Sequence, residues 1–381
     1  MASIKKRGDR TWRARYRDEA GREHSRHFQR RVDAQRWVDE VTTSIVSGNY
    51  VDPKAGKMTF RAYFDQWSAR QVWVTGTVQS MNLAVDSTTF TDKPVRTIRR
   101  SHLEAWVKQM IADGLSPGTV GTRFRNIRTV FRAAKKDRVI ANDPSEGIAL
   151  PRQRRPEHAM TIPTPEQVGQ IIAAAEVWFQ PFIAMCAFAG LRLGEAAAVK
   201  IDDIDFLRRA MTVSRQVQRR AGHEPDIRAP KYNSERVVYL PDDLVTMLSE
   251  YVRNVGVRPE GWLFVGMDGA PPHSNTIGRW WRKALKDAGL PPPPADKTRK
   301  RQASAAFHLH DLRHFYASGL IAQGCDVVTV QRALGHSSAT TTLNVYSHLW
   351  PTAEDRTRKA AAAMMKHTAG NLADSVRTEG N

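Results

Sequence analysis

The stretch HLHDLRHFYASGL, residues 308–320, places three histidines and an arginine within seven residues. Apolar residues follow at helical spacing, so the stretch predicts a helix that buries Leu312 and Phe315 in a core. Nitrogen donors at the edge of a core are costly to bury unless each one finds a partner. The rest of the chain must therefore supply partners for these side chains.

The composition indicates a folded protein that binds a polyanion. The chain has 381 residues, of which 58 are basic and 39 acidic, and its formal net charge is +19. Its length predicts two or three domains, and 41% hydrophobic residues are enough for packed cores. A positive surplus of this size costs self-repulsion in the folded protein, and binding to a polyanion offsets that cost. The net charge therefore favours nucleic acid as the partner.

Cysteine content and hydropathy suggest the environment of the protein. Cys186 and Cys325 are the only cysteines, which suits a reducing compartment and argues against a disulfide framework. No secretory leader is recognisable, and the longest apolar run, residues 182–191, is too short to span a bilayer. We therefore expect a cytoplasmic protein with no membrane partner.

The first 50 residues predict a small sheet followed by a helix that begins near Asp33. Residues 1–31 hold eleven Lys and Arg against four Asp and Glu. In residues 11–18 apolar side chains alternate with basic ones, as in a half-buried strand. Its basic face is either a solvated sheet surface or a DNA contact, and the net charge favours DNA. The candidate residues are Arg13, Arg15 and Arg17.

Residues 58–150 predict a helical unit. Ser101 and Glu104 predict a capping box at the start of one helix. The next helix, from Ser116 to about Asp137, carries an apolar stripe and a basic stripe. The basic stripe is either a solvated face or a phosphate track, and the net charge again favours the second. Its candidate DNA-binding residues are Arg125, Arg128, Arg132 and Lys135.

Residues 160–350 predict a mixed α/β unit. Thr164 predicts a helix N-cap, followed by Pro at the first helical position. Short strands are predicted around Met211 and over residues 235–241, so Lys231 should lie on a turn or hairpin between them. Residues 351–381 predict a short helix and a tail.

Polar residues of reactive type are scattered through this third unit, as in a site assembled by folding. Arg192 lies between two glycines in AGLRLGE, where it could simply pair with Glu195 to stabilise a helix junction. His336 lies in LGHSS at a helix end, and Tyr346 follows polar residues in TTLNVYSH. Taken singly, such a histidine is usually structural and such a tyrosine usually belongs to a core.

A metal site is the main alternative reading of the histidines. His310 and His314 are four residues apart, the spacing of a zinc pair, and His336 and His348 could complete a set. The glutamate of HExxH is missing, however, and Arg313, which shares a side of the helix with His310, would stand beside the cation. We expect no metal and no other cofactor.

Two arginines, two histidines, a lysine and a tyrosine suit phosphoryl transfer without a metal. Guanidinium groups match phosphate oxygens and neutralise the charge of a pentacoordinate transition state. An imidazole can donate to a nonbridging oxygen or accept a phenol proton, and a lysine can protonate the leaving oxygen. A tyrosine hydroxyl can attack to form a phosphotyrosine, which conserves the energy of the phosphodiester.

Five pieces of the chain occur in one order: AGLRLGE, PKYNSERVVYLP, HLHDLRH, LGHSSATTT and Tyr346, which follows Arg313 by 33 residues. This order of arginine, lysine, HxxR, histidine and tyrosine closely resembles that of the tyrosine recombinases, specifically the phage-type, lambda-like integrases. Residues 101–150 are also similar to the helical core-binding domain of that family. One piece would be weak evidence, whereas five in order within one unit are specific.

The resemblance implies a multidomain fold, mainly α with small β-sheets. Residues 1–50 would form an arm-type DNA-binding domain, a three-stranded sheet plus a helix. Residues 58–150 would form a helical, SAM-like core-binding domain, and residues 160–350 a mixed α/β catalytic domain. Residues 351–381 would provide a C-terminal helix that docks on a neighbouring protomer, and a tail.

The resemblance also implies which residues hold the phosphate. Arg192 and Arg313 would clamp the scissile phosphate. His310 and His336 would hydrogen-bond its oxygens, with His310 as the proton acceptor. The histidine and arginine of the opening stretch would then face DNA while its apolar residues hold the helix in the core.

The remaining roles follow from the same resemblance. Lys231 would be the general acid and Tyr346 the nucleophile, while Glu195 would support the site from behind the reacting groups. His308 and His314 are left without a role and would be structural.

The partners implied are double-stranded DNA at core and arm sites and further copies of the chain, which form a homotetramer on DNA. Strand exchange within this tetramer would proceed through a Holliday junction. A host DNA-bending factor and an excision factor are possible further partners, in the nucleoid of a bacterial host. The expected function is integration and excision of a phage or mobile element. The alternatives are a Xer-like chromosome-dimer resolvase, a type IB topoisomerase and a non-catalytic DNA-binding regulator.

Overall fold

A computed structural model describes residues 2–7, 11–18, 21–46, 55–151, 162–218, 224–230, 234–256, 258–290, 307–350, 354 and 357–366. Packing divides the chain into two compact units, Met1–Arg154 and Arg155–Asn381. Helices predominate in both units and the sheets are small, as the sequence predicts.

The N-terminal part of the first unit is an antiparallel sheet followed by a helix. The strands are β1 (Ser3–Arg7), β2 (Thr11–Arg17) and β3 (Glu23–Phe28), in the order β1-β2-β3, and the helix is α1 (Arg31–Val46). The alternation in β2 buries Ala14 and Tyr16, and Ala14 packs with Ala34 and Val38 of α1. The other face of β2 is left to its arginines, as the period-2 pattern predicts.

The rest of the first unit is helical, with α2 (Phe60–Ser68), α3 (Thr75–Asp86), α4 (Arg100–Ala112) and α5 (Pro117–Lys136). The side chains of Phe60, Phe90, Trp106 and Phe131 pack together in its core. Helix α5 has the predicted bounds because Ser116 caps it by accepting the backbone N–H of Thr119 at 3.3 Å.

The predicted cap of α4 is wrong. The N-cap is Arg99, two residues before Ser101, and the first turn is closed by the backbone N–H of Arg99, which donates to Nδ1 of His102 at 3.0 Å. Glu104, predicted to close a capping box, accepts instead from Arg100 at 2.7 Å, an i,i+4 pair on the exposed face.

The second unit contains the remaining helices and two small groups of strands. The helices are α6 (Pro165–Ala174), α7 (Gln180–Phe188), α8 (Leu193–Ala196), α9 (Asp242–Val255), α10 (Ser274–Asp287), α11 (Asp311–Ala322), α12 (Val327–Leu334) and α13 (Ala339–Tyr346). The strands are β4 (Ile204–Asp205), β5 (Ala210–Val213), β6 (Gln216–Gln218), β7 (Asp226–Arg228) and β8 (Arg236–Tyr239). They form an antiparallel sheet of order β4-β5-β8 and a β6-β7 hairpin.

Two buried clusters in this unit position the polar residues. The larger cluster contains the buried side chains of α7, which are all apolar. The smaller cluster joins Ala317, Leu334 and Tyr346 from α11, α12 and α13. Helix α7 ends at a turn in which Gly190 has φ of +64°. A Cβ at Gly190 would collide with the ring of Tyr316 on α11, so only glycine permits this approach.

Some predictions fall outside the described residues, namely Lys231, the loop 291–304 and most of residues 351–381. Residues 357–366 are helical and exposed. Among the residues that the structure describes, no helix is long and apolar enough to cross a membrane.

Candidate active site

The C-terminal end of α12 collects three arginines from distant parts of the chain. The carbonyl of Leu334 accepts from Arg313, that of Gly335 from Arg192 at 3.4 Å, and that of Ala333 from Arg236 at 3.0 Å. The last carbonyls of a helix lack intrahelical partners and carry partial negative charge, so guanidinium groups are stabilised there. This turn leads directly into His336, and it brings the two predicted phosphate ligands together.

Arg192 is fixed by a buried carboxylate. Its Nη1 lies 2.6 Å from Oε1 of Glu195, and its backbone N–H donates to Oε2 at 3.0 Å. Nη2 of Arg236 lies 2.8 Å from Oε2 of the same carboxylate. Burial alone would raise the pKa of Glu195, but the hydrogen bond and charge of Arg236 and the charge of Arg192 lower it to about 2. Glu195 therefore stays ionised, and the predicted pairing with Arg192 is present.

Arg236 is a member of the site that the sequence analysis missed. Its strand alternates so that Arg236 and Val238 share the inner side, while Val237 and Tyr239 are exposed. An arginine in the buried register of a short strand was the available signal, because a charge there requires a partner.

Arg313 is almost fully buried, with 2% of its surface exposed. Nη1 donates to the carbonyl of Gly190 at 2.5 Å, while Nη2 donates to Leu334. Burial and the nearby guanidinium of Arg192 lower the pKa of Arg313, and arginine remains charged at neutral pH despite such a shift. Two backbone carbonyls therefore orient the guanidinium, which still has further N–H groups for a phosphate.

His336 follows the glycine that ends α12. Its Nδ1 lies 2.9 Å from Oγ1 of the buried Thr342, which fixes the orientation of the ring. Burial and the charges of Arg313 and Arg192 lower the pKa of His336 to about 4. The ring is therefore neutral at pH 7 and held beside the two arginines.

Tyr346 is the last residue of α13, and only 1% of its surface is exposed. Its hydroxyl lies 2.7 Å from Nδ1 of His314. Burial raises the pKa of Tyr346 to about 12, against the opposing charges of Arg313 and Arg192. The phenol is therefore protonated at pH 7, and both arginines are close enough for their charges to act on its pKa.

The histidine at the hydroxyl is not the one expected. The sequence analysis favours His310 as the proton acceptor and leaves His314 without a role, yet the hydrogen bond joins Tyr346 to His314. The ring of His310 lies perpendicular to that of His314, with 4.9 Å between centroids. Although His310 reaches solvent, partial burial and the charges of Arg313 and Arg192 lower its pKa.

Among the described residues, no group of three or more His, Cys, Asp or Glu side chains could hold a metal ion. The Nδ1 atoms of His314 and His336 contact the hydroxyls of Tyr346 and Thr342. Both histidines therefore form hydrogen bonds with hydroxyl groups in this arrangement.

The candidate DNA-binding arginines of β2 share one face of the sheet, since residues at i and i+2 of a strand point the same way. Lys5 and His27 lie beside Arg13 on that face. Glu23 lies 3.4 Å from Arg13 and 3.5 Å from Arg15, so it holds both guanidinium groups in place.

The basic stripe of α5 lies on one side of the helix. Arg125, Arg132 and Lys135 are exposed and Arg128 is half-buried. Lys135 pairs with Glu146 at 3.3 Å, so its charge is partly compensated.

Comparison with known proteins identifies relatives of both units. The model of the phage integrase family matches residues 163–352, which contain every described residue of the site. The chain is 24% identical over 371 residues to the putative prophage phiRv2 integrase of Mycobacterium tuberculosis, covering 93% of this chain and 92% of that protein.

Two solved structures share the fold. The Tn1549 transposon integrase in complex with a circular intermediate DNA has a TM-score of 0.66 and 21% identity, covering 81% of this chain and 99% of that one. A lambda integrase tetramer bound to a Holliday junction has a TM-score of 0.56 and 18% identity, covering 88% of this chain and 96% of that one.

Proposed function

Because the chain belongs to the phage integrase family of tyrosine recombinases, we propose that it cleaves and rejoins DNA through a 3′-phosphotyrosine on Tyr346. It is a site-specific recombinase of mobile elements, and the reaction that we propose for it is integration and excision of its own element. The phiRv2 prophage integrase, matched over 93% of this chain, supports that reaction.

One observation carries the proposal. The buried hydroxyl of Tyr346 and the oriented guanidinium groups of Arg192 and Arg313 lie together at the C-terminal end of α12. Arg192 is held by Glu195 and Arg313 by the carbonyls of Gly190 and Leu334. Both groups are fixed before DNA arrives, so little reorganisation is needed when the phosphate binds. A dianionic, pentacoordinate phosphorus between them is stabilised by charge and by bidentate hydrogen bonds.

Two histidines and a lysine supply the remaining roles, which are hydrogen bonding to the phosphate and protonation of the leaving oxygen. His336, oriented by Thr342, and His310, exposed at the start of α11, donate to nonbridging oxygens of the phosphate. Lys231 protonates the departing 5′-oxygen. Its place in the sequence, between β7 and β8, supports this role, since β8 also carries Arg236 of the site.

DNA is contacted by each predicted domain. The arginine face of β2 binds arm sites, and the basic stripe of α5 binds the core site together with the catalytic domain. The lambda integrase tetramer on a Holliday junction supports a homotetramer as the active assembly. A host DNA-bending factor and an excision factor would act with it in the nucleoid of a bacterial host.

The alternatives have less support. Relatives in the comparisons do not favour a Xer-like resolvase over an integrase, and the match to the phiRv2 integrase covers 93% of this chain. A regulator without catalysis would not need to keep arginine, histidine and tyrosine in one buried cluster.

The test is recombination between two attachment sequences taken from the ends of the native element. Incubation of the protein with a plasmid that carries both sequences should give the recombinant junction, and Tyr346→Phe should give none. Relaxation of a supercoiled plasmid without any such sequence, and no junction, would point to a topoisomerase. Sequence-specific binding without cleavage would point to a regulator.

A further inference from the structure

We propose that His314 is a further catalytic residue, which holds the Tyr346 hydroxyl and takes its proton as the tyrosine attacks DNA. The proposal rests on the nucleophilic role of Tyr346 proposed above. In this proposal His314, and not His310, accepts the proton, while His310 donates a hydrogen bond to the phosphate.

The geometry of the pair carries the proposal. Nδ1 of His314 lies 2.7 Å from the hydroxyl oxygen of Tyr346, the distance of a short, direct hydrogen bond. The two residues are 32 positions apart, on α11 and α13, so tertiary packing and not local sequence creates the contact. Because 99% of the surface of Tyr346 is shielded, bulk water does not compete for this hydroxyl.

The protonation state of His314 suits an acceptor. Burial and the charges of His310 and Arg313 lower its pKa to about 4, so the ring is neutral at pH 7. The groups that face it are His310 and Arg313 from its own helix and Tyr346 from α13. With the proton on Nε2, Nδ1 is a free acceptor for the phenol.

The weak basicity of the free ring does not prevent the transfer. The phenol loses its proton as the P–O bond forms, and the oxygen then becomes part of a phosphodiester, which no longer holds a proton. A DNA phosphate bound beside the ring would also favour the imidazolium and raise the pKa of His314. A general base contributes most when its pKa approaches the working pH, and a bound phosphate shifts the pKa of His314 in that direction.

His310 is less suited to this role. Its ring lies against that of His314 in a perpendicular contact, and it reaches solvent at the N-cap of α11. Among the described residues the Tyr346 hydroxyl makes its hydrogen bond to His314, and none joins it to His310. The two histidines, one helical turn apart, therefore divide the work between phosphate and nucleophile.

The step balances as a displacement at phosphorus. The O–H bond of Tyr346 breaks and its proton passes to Nδ1 of His314, while the bond from the phenol oxygen to phosphorus forms. The bond from phosphorus to the 5′-oxygen breaks, and that oxygen receives a proton from the general acid. In rejoining, the 5′-hydroxyl returns its proton to the general acid, which now acts as a base, and its oxygen bonds to phosphorus. The bond from phosphorus to the phenol oxygen breaks, and that oxygen takes back the proton from His314.

The test measures covalent adduct formation in a single turnover, with the full-length protein on a nicked duplex of the core site. His314→Phe keeps the ring volume and removes the acceptor, and it should slow adduct formation about 100-fold or more. His314→Asn restores an acceptor oxygen near the Nδ1 position without a usable base, so its rate should lie between. His308→Phe is the matched control, since His308 is exposed in the turn that precedes α11, and this variant should react at the wild-type rate.

A second measurement separates proton transfer from folding and from phosphate binding. In Tyr346→Phe, hydrogen peroxide supplied at alkaline pH attacks as the hydroperoxide anion, which cleaves the activated phosphate without a phenol and without a proton to remove. Adding His314→Phe to that variant should leave the peroxide reaction unchanged. An equal loss in the peroxide reaction, or a wild-type rate of adduct formation by His314→Phe, would overturn the role of His314. Absence of adduct with the wild type would instead overturn the function from which the proposal starts.

Discussion

Arg236 and Glu195 form a buried ion pair, with 2.8 Å between Nη2 and Oε2 and side chains that are 6% and 1% exposed. The pair joins β8 to the first turn of α8, for which Arg192 is the N-cap. Arg236 also donates to the carbonyl of Ala333, so one guanidinium links three elements around the site. The pair therefore determines where Arg192 points.

Replacement of Arg236 by alanine should destabilise the protein and slow cleavage. Removing one partner of a buried pair costs about 3–5 kcal/mol when the other charge is left alone. Because Glu195 keeps its pair with Arg192, we expect a cost at the lower end of this range. The free energy of unfolding is measured by urea denaturation. Arg209→Ala is the control, because its pair with Asp242 is 59% and 74% exposed and should contribute less than about 1 kcal/mol. Equal losses in the two variants would contradict the role assigned to Arg236.

Substitution of Gly190 by alanine tests the turn that orients Arg313. Its φ of +64° and the ring of Tyr316 at the Cβ position both oppose a side chain. The expected cost is about 2–4 kcal/mol in thermal or urea unfolding. Gly319→Ala is the matched control, since a Cβ at this helical position meets nothing within 4 Å. A neutral Gly190→Ala would show that the turn relaxes freely.

The sequence predicted those parts of the fold whose pattern is local. Helix α5 is predicted by its apolar stripe and has the expected bounds, whereas the sequence analysis places no helix over Thr75–Asp86, which forms α3. The contacts of His314 and Arg236 were missed because their partners are 32 and 41 residues away. Such pairs depend on how helices and strands pack, which a residue pattern does not specify.

Stability should fall as the pH is lowered below about 6.5. The folded protein lowers the pKa values of His314 and His336 to about 4 from 6.5. The unfolded chain therefore binds more protons between these values, so the contribution is complete above pH 6.5 and is lost as the pH falls toward 4. We expect a loss of about 1–3 kcal/mol between pH 7 and pH 5, measured by denaturation at each pH. His314→Asn should weaken this dependence, and an unchanged pH profile would argue against a neutral, buried ring.

Replacement of Arg13, Arg15 and Arg17 together by alanine should weaken DNA binding most at low salt. If each arginine contacts a phosphate, the slope of log affinity against log salt should decrease by about 2–3. Fluorescence anisotropy of a labelled duplex with arm-site sequence measures it. Arg36→Ala is the control, since Arg36 is exposed on α1, which covers the opposite face of the sheet. A slope that changes as little as in the control would remove this face from the DNA interface.

The central claim is that Tyr346 is the nucleophile, and the direct measurement is identification of the residue that becomes linked to DNA. Wild type and Tyr346→Phe are each incubated with a nicked core-site duplex, and the SDS-resistant product is digested and analysed by mass spectrometry. The account predicts an adduct with the wild type alone, carried by Tyr346, and unchanged DNA binding by Tyr346→Phe. An adduct formed by Tyr346→Phe, or one linked to another residue in the wild type, would contradict it.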